Sequence, residues 1–240
     1  MNELFLSTEV ADLAHQLGNH PARLALWGEG CVAARADEET MVITAAGARL
    51  ATVAPDALLE VSLPKAGELL ADEETTDDDL PSVLVDDEPT AAAPADTLLF
   101  AELFQFEGIR LIAHTQPLVI NQITCSPRAR QFADRRNLPD EVIACGQSSV
   151  LVPFAPPGVA LARETRRRIG LWQDRYKETP KIILFQNHGM VTLGRNVQEV
   201  MMITEMVMKY AEIFIGAAMM GGPEFMKPTY VTKLAARGAI

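Results

Sequence analysis

Two hydrophobic periods alternate along the chain, and the points where one gives way to the other predict most of its elements. Apolar residues at helical spacing run from Ser7 to Gly18, between a Ser7 or Thr8 cap and a glycine stop. β-Rich runs follow at Leu24 to Arg35 and Thr40 to Thr44, and the acidic turn Asp37-Glu38-Glu39 between them makes a hairpin. A further strand is expected from Leu58 to Leu63. Helical spacing returns from Ala95 to Phe106, with Asp96 in the cap position. Ile109 to Pro117, interrupted only by Arg110, and Ile182 to Gly189 each carry an apolar run closed by a turn signal, as strands buried on both faces do. Between them lie a short basic helix (Arg128 to Arg136), a strand (Val150 to Phe154) and a helix (Ala160 to Lys177). Met190 to Leu193 should pair back as a hairpin.

The last long element, Val197 to Met220, follows an Asn196 cap and carries six of the ten methionines. Its apolar residues occupy more than one stripe, so it is expected to be buried on most sides or pressed against another subunit.

Charge changes the picture in one place. The net charge is -11, yet Glu68 to Glu88 alone holds ten acidic residues and no Lys or Arg, which leaves the rest near neutrality. This tract, with the proline-bounded Pro89 to Pro94, is expected to be a mobile acidic loop at about 66–94 of a single domain spanning 1–240. An acidic surface argues against nucleic acid and anionic membranes as partners. No run reaches the length of a membrane span. Cys31, Cys125 and Cys145 show no C-x-x-C spacing and read as free thiols, so a cytoplasmic location is expected.

Candidate chemistry gathers where the two buried runs end. The first closes with Ala113-His114-Thr115-Gln116-Pro117 and the second with Gln186-Asn187-His188-Gly189. Taken singly, each histidine reads as a core or rim residue. Two imidazoles delivered by different strands, with Gln116 two residues after His114, can converge on one metal ion, because each offers a lone pair in a fixed direction. Trp27-Gly28-Glu29-Gly30 and Ala45-Ala46-Gly47 are small-residue turns that would let a ligand approach the backbone closely. His15 and His20 read as structural or solvent-facing.

Taken in order, these pieces resemble the class II aldolase/adducin family, of L-fuculose-phosphate aldolase type. Ala113 to Pro117 is similar to the family's H-T-H-P, Asn187-His188-Gly189 with Gly194 to its later histidine motif, and Trp27 to Gly30 to the turn before its first hairpin strand. The resemblance spans about Leu4 to Met220. It implies a three-layer α/β/α fold around a largely antiparallel central sheet, usually as a homo-oligomer (a tetramer), with a small-molecule substrate. It also implies a divalent metal, zinc before manganese or cobalt, acting as a Lewis acid in carbon-carbon bond cleavage. Carried over by residue, the ligands would be His114, Gln116 and His188. Asp96 would be a shortened acid/base. Tyr230, ahead of Tyr210, would be the catalytic tyrosine, and Gly30, Cys31, Ala46 and Gly47 would face the substrate.

The departures from that pattern are chemical. Gln116 offers a neutral amide where the family has imidazole. Asp96 is one methylene shorter than the family glutamate, and Phe100 stands where the family has a further histidine. Cys31, Ala46 and Ala95 lack the polar groups expected around a phosphate. The expected substrate is therefore a small unphosphorylated hydroxy-carbonyl compound of sugar origin, handled by a divergent lyase. The alternative is an adducin-like domain that has lost catalysis and serves in binding or scaffolding.

Overall fold

Strand alternation decides how the chain is layered. In the computed structural model, which describes residues 3–86, 88–89 and 91–236, the order is α1 (Glu3–Gly18), β1 (Cys31–Arg35), β2 (Thr40–Thr44), β3 (Leu58–Ser62), α2 (Leu63–Ala71), α3 (Thr97–Leu103), β4 (Leu111–Thr115), α4 (Leu118–Thr124), α5 (Ala129–Asp134), α6 (Pro139–Cys145), β5 (Val150–Val152), α7 (Val159–Tyr176), β6 (Ile182–Phe185), β7 (Gly189–Gly194), α8 (Val197–Met219) and α9 (Pro228–Ala235). The strands form one seven-stranded sheet in the order β3-β2-β1-β4-β7-β6-β5. Every pairing is antiparallel except that of β5 with β6.

Because side chains alternate across a sheet, β1, β2 and β4 each feed two cores. Ala33, Ile43 and Ile112 pack with Leu98, Phe100, Leu161 and Ile169 under α2, α3 and α7. Val32, Val42 and Ala113 face the other way, onto Val10, Leu13 and Leu17 of α1 and Val200 and Met208 of α8. On that same side, Ile182, Leu184 and Met190 of β6 and β7 meet Ile120, Phe132, Tyr210 and Phe214. The result is the expected three-layer α/β/α arrangement around a largely antiparallel sheet. Among the described residues no helix is long and apolar enough to cross a membrane.

The long helix α8 is amphipathic in a broader sense than a one-sided surface helix. Val200, Ile203, Val207, Tyr210 and Phe214 are buried, while Met202, Ile213 and Met219 stay exposed.

The segment expected to be a mobile acidic loop instead builds structure over much of its length. Its first part is α2, begun by the Ser62 side chain accepting from Lys65 N–H and by Pro64 in the first turn. A 3₁₀ segment follows from Asp77 to Val83, and Leu84 makes an isolated bridge to Val61. The tract's apolar residues Leu80, Val83 and Leu84 are all buried, which anchors it. Its carboxylates are used locally. Asp79 accepts from Thr76 N–H at 2.8 Å, and Asp77 accepts from Val159 N–H at 2.8 Å, so it caps α7 from outside that helix. The Arg163 guanidinium donates to the Asp72 and Thr75 carbonyls. Asp87 and Thr90 of the expected loop lie outside the described residues.

Candidate functional site

Register places the site. In β4, His114 lies opposite Cys31 of β1 and Val191 of β7, two residues on from Ile112 and so on the face covered by α3. Asp96 stands immediately before α3, but its carboxylate does not cap that helix. It turns inward, and His114 Nδ1 meets Asp96 Oδ2 at 2.8 Å. The pair is deeply buried, His114 being 3% and Asp96 9% exposed. The second ring nitrogen, Nε2, lies 3.1 Å from the backbone carbonyl oxygen of His188. Both nitrogens of His114 therefore face oxygen acceptors, an arrangement that only the doubly protonated ring satisfies.

His188 sits in the turn between β6 and β7, between Asn187 at φ +63° and Gly189 at φ +88°. Its ring stands edge-on to His114 with centroids 5.0 Å apart. Its Nδ1 is buried without a hydrogen-bond partner among the described residues. Two glycines permit the assembly. A Cβ on Gly30 would lie 2.7 Å from the His114 carbonyl oxygen, and one on Gly189 would lie 2.4 Å from the Thr115 carbonyl oxygen. Only glycine lets the first turn and the second histidine turn close onto β4.

Opposing forces set the charges. Burial pushes the His114 imidazole down, but the Asp96 carboxylate, its hydrogen bond, the His188 carbonyl and the more distant Glu29 together hold it above its ordinary 6.5. Burial likewise pushes Asp96 up, and the charge and hydrogen bond of His114, with a smaller part from His188, bring it below 3.8. His188 is pushed below 6.5 by burial and then by the neighbouring His114 charge, against the weaker pull of Asp96. The three shifts run toward an ionised Asp96, a protonated His114 and a neutral His188. Cys31, beside them, is held as a thiol by burial and by the Asp96 charge.

These groups line an open cleft of 420 Å³. Gly30, Cys31, Ala46, Gly47, Gln116 and His188 all line it, so the sequence-predicted substrate and ligand positions do converge. Glu29, Trp27 and Pro157 also line it and were not among the expected site residues. Glu29 and Trp27 sat visibly in the glycine turn, whereas Pro157 comes from the loop after β5 and carried no signal. Tyr230 does not join the cleft of its own chain: it lies on α9, 56% exposed. Tyr210 is buried in α8 among Phe132 and Phe214. A larger cavity of 510 Å³ beside α5, α7 and α9 holds Arg135 and Arg175 but no histidine, so chemistry rather than volume marks the site.

The donor set does not fit a tightly held divalent metal. His114 spends both nitrogens on oxygen acceptors, Asp96 is committed to His114, and Gln116 contributes only an amide. Among the described residues no three His, Cys, Asp or Glu side chains are placed to share an ion. In this arrangement His114 would have to release the His188 carbonyl before it could join Gln116 and His188 on an ion. A lone pair that carries a proton cannot bind a metal.

Comparison with known proteins agrees with the architecture. The family model described as "Class II Aldolase and Adducin N-terminal domain" matches residues 8–215. No curated protein matches. Among solved structures, the chain is similar to an L-fuculose 1-phosphate aldolase at 13% identity, over 99% of this chain and 97% of that one, with a TM-score of 0.74. It is similar to YgbL from Klebsiella pneumoniae at 16% identity, over 98% and 99%, with a TM-score of 0.73. It is also similar to the N-terminal class II aldolase domain of a conserved protein from Thermoplasma acidophilum at 21% identity, over 86% and 92%, with a TM-score of 0.66.

Proposed function

The chain belongs to the class II aldolase and adducin family, and on that premise we propose that it is an aldolase/epimerase-like enzyme moving a proton on a small unphosphorylated hydroxy-carbonyl compound. The observation that carries this reading is the buried Asp96–His114 contact at 2.8 Å beside His188, whose pKa burial lowers, in the lining of an open cleft. A buried ion pair adds little to stability for the desolvation it costs. Side-by-side titratable groups driven in opposite directions are the usual arrangement of acid/base chemistry.

In this reading His188 is the base. Its neutral ring accepts a proton from a substrate hydroxyl or from the carbon beside a carbonyl. When the C–H proton is removed, the pair of that bond becomes an enolate with its charge on the carbonyl oxygen. When the O–H proton is removed, the oxygen's pair forms a new C=O, and the pair of the breaking C–C bond becomes the enolate. The His114 imidazolium, fixed by Asp96, places positive charge near the position where that oxyanion develops. The proton on His188 then returns to carbon. Among the described residues no Ser, Thr, Lys or Arg side chain lines the cleft, which disfavours a phosphate dianion and supports the unphosphorylated substrate. Three free cysteines and the exposed Met202, Ile213 and Met219 of α8 support a cytoplasmic homo-oligomer.

The test is solvent deuterium incorporation, with C–C cleavage products measured in parallel, across a panel of unphosphorylated hydroxyaldehydes and hydroxyketones. Exchange in the wild type, lost in His188→Ala and unaffected by chelator, is the expected outcome. A second reading, an adducin-like domain with binding but no catalysis, is favoured by the fact that both His114 nitrogens are satisfied inside the protein. Absence of exchange across the panel, with a folded chain, would select it.

A further inference from the structure

We infer that Trp27, which lines the cleft, and Arg49, which stacks on it from outside the lining, form a carboxylate subsite beside the cleft, so that the compound bound there is a polyhydroxy acid rather than a neutral sugar; this rests on the function proposed above.

Trp27 lines the cleft yet is 78% exposed. Leaving the largest apolar side chain in water forgoes burial that folding ordinarily gains. Its backbone adds a second cost, because it sits at φ +54°, a left-handed conformation that bulky residues seldom adopt. A strained backbone that holds an aromatic ring out beside a cleft points to use of that ring by a ligand. The flat face of an indole suits the C–H face of a polyhydroxy chain.

The ring is not bare. Arg49, from the loop after the second glycine turn, places its guanidinium carbon 4.6 Å from the Trp27 centroid. Arg49 is exposed, and among the described residues its side chain makes no ion pair or hydrogen bond. Of the two carboxylates that line the cleft, Asp96 holds His114, and Glu29 accepts from Leu26 N–H at 2.9 Å through one oxygen. Neither acid pairs with Arg49, so the guanidinium beside Trp27 is a cation with no counter-ion among the described residues. A guanidinium oriented by stacking presents a planar fork of donors that matches a carboxylate. A ligand lying along Trp27 with its carboxylate on Arg49 would send its other end toward His188.

The chain has two tryptophans. Trp172 is buried and donates its indole N–H to Ser148 Oγ at 2.7 Å, so a ligand-dependent change in emission reports Trp27. The experiment titrates the full chain with D-gluconate and with D-glucitol, which shares its carbon skeleton but has no carboxylate, following emission and heat. D-Gluconate should shift Trp27 emission and bind roughly tenfold more tightly than D-glucitol, the factor one charge-assisted contact supplies. Arg49→Met should erase that difference, Trp27→Ala should weaken both compounds, and Trp27→Phe should remove the optical signal while heat persists. Equal binding of the two compounds, unchanged gluconate affinity in Arg49→Met, or no binding of either would overturn the inference. The same titration on His188→Ala separates it from the proposed reaction. Binding there with no turnover in any form of the protein would sink the reaction and leave the subsite standing.

Discussion

Asp96→Asn is the substitution from which the electrostatic account has most to lose. Asparagine keeps the size of the side chain and an acceptor for His114 Nδ1, so the 2.8 Å contact can persist, but the negative charge goes. His114 is then a buried imidazolium with no counter-ion, and removing one partner of such a pair costs about 3 kcal/mol. That figure is a ceiling on what the protein tolerates, because the ring can shed its proton once burial acts unopposed. For a chain of this length about 3 kcal/mol lowers the melting temperature by roughly 6–12 °C.

The pH dependence follows from the two shifts. His114 has its pKa raised above 6.5, so its contribution is complete below about 6.5 and is lost as pH rises through the raised value. Asp96 has its pKa lowered below 3.8, so its contribution is complete above about 3.8 and is lost as pH falls through the lowered value. The gap between wild type and Asp96→Asn should thus be widest between about pH 4 and 6.5 and narrow on either side. Thermal unfolding across that range measures the gap, and ring ¹⁵N shifts report the protonation of His114. A gap independent of pH, or a neutral His114 in the wild type at pH 6, would refute the reasoning.

Other substitutions test separate parts of the structure. Gly189→Ala forces a side chain into φ +88° and against the Thr115 carbonyl; a loss of at least about 3 kcal/mol is expected in chemical denaturation, and a neutral result would mean the histidine turn is not held as described. Asp77→Ala removes the carboxylate that caps α7, which should cost about 1 kcal/mol, seen as a fall of roughly 2–4 °C in melting temperature. Asp78→Ala, with no hydrogen bond to α7, serves as its control and should change little. His188→Ala removes a ring that makes no hydrogen bond among the described residues, so deuterium exchange should vanish while the melting temperature moves by less than about 1 kcal/mol would require.

Much of this architecture was legible because burial writes period into sequence. The hairpin Cys31–Arg35 with Thr40–Thr44, the buried runs of β4 and β6, and the ends of α7 and α8 follow directly from apolar spacing. The short helices α4, α6 and α9, of seven, seven and eight residues, were not read. In α4, the β-branched Val119, Ile120, Ile123 and Thr124 give little helical propensity, and docking against α8, β7 and α5 fixes the helix. The first helix begins at Glu3 rather than at a Ser7 or Thr8 cap. The acidic tract misled because composition outweighed three well-placed apolar residues, although Ser62 with Pro64 was an available start signal for α2. At the site, sequence brought His114, His188, Asp96 and the glycine turns into one neighbourhood. It could not show that His114 would turn its second nitrogen onto a backbone carbonyl, because that depends on the Asn187-His188-Gly189 turn and not on any residue type.

The measurement that bears most directly on the central claim is elemental analysis of the untagged protein, incubated with zinc, manganese and cobalt and then dialysed, with His188→Ala in parallel. A His114 ring engaged at both nitrogens predicts no stoichiometric ion in either protein, and ring ¹⁵N shifts unchanged by zinc. About one ion per chain in the wild type, lost in His188→Ala, would contradict the account and return the site to metal-dependent chemistry.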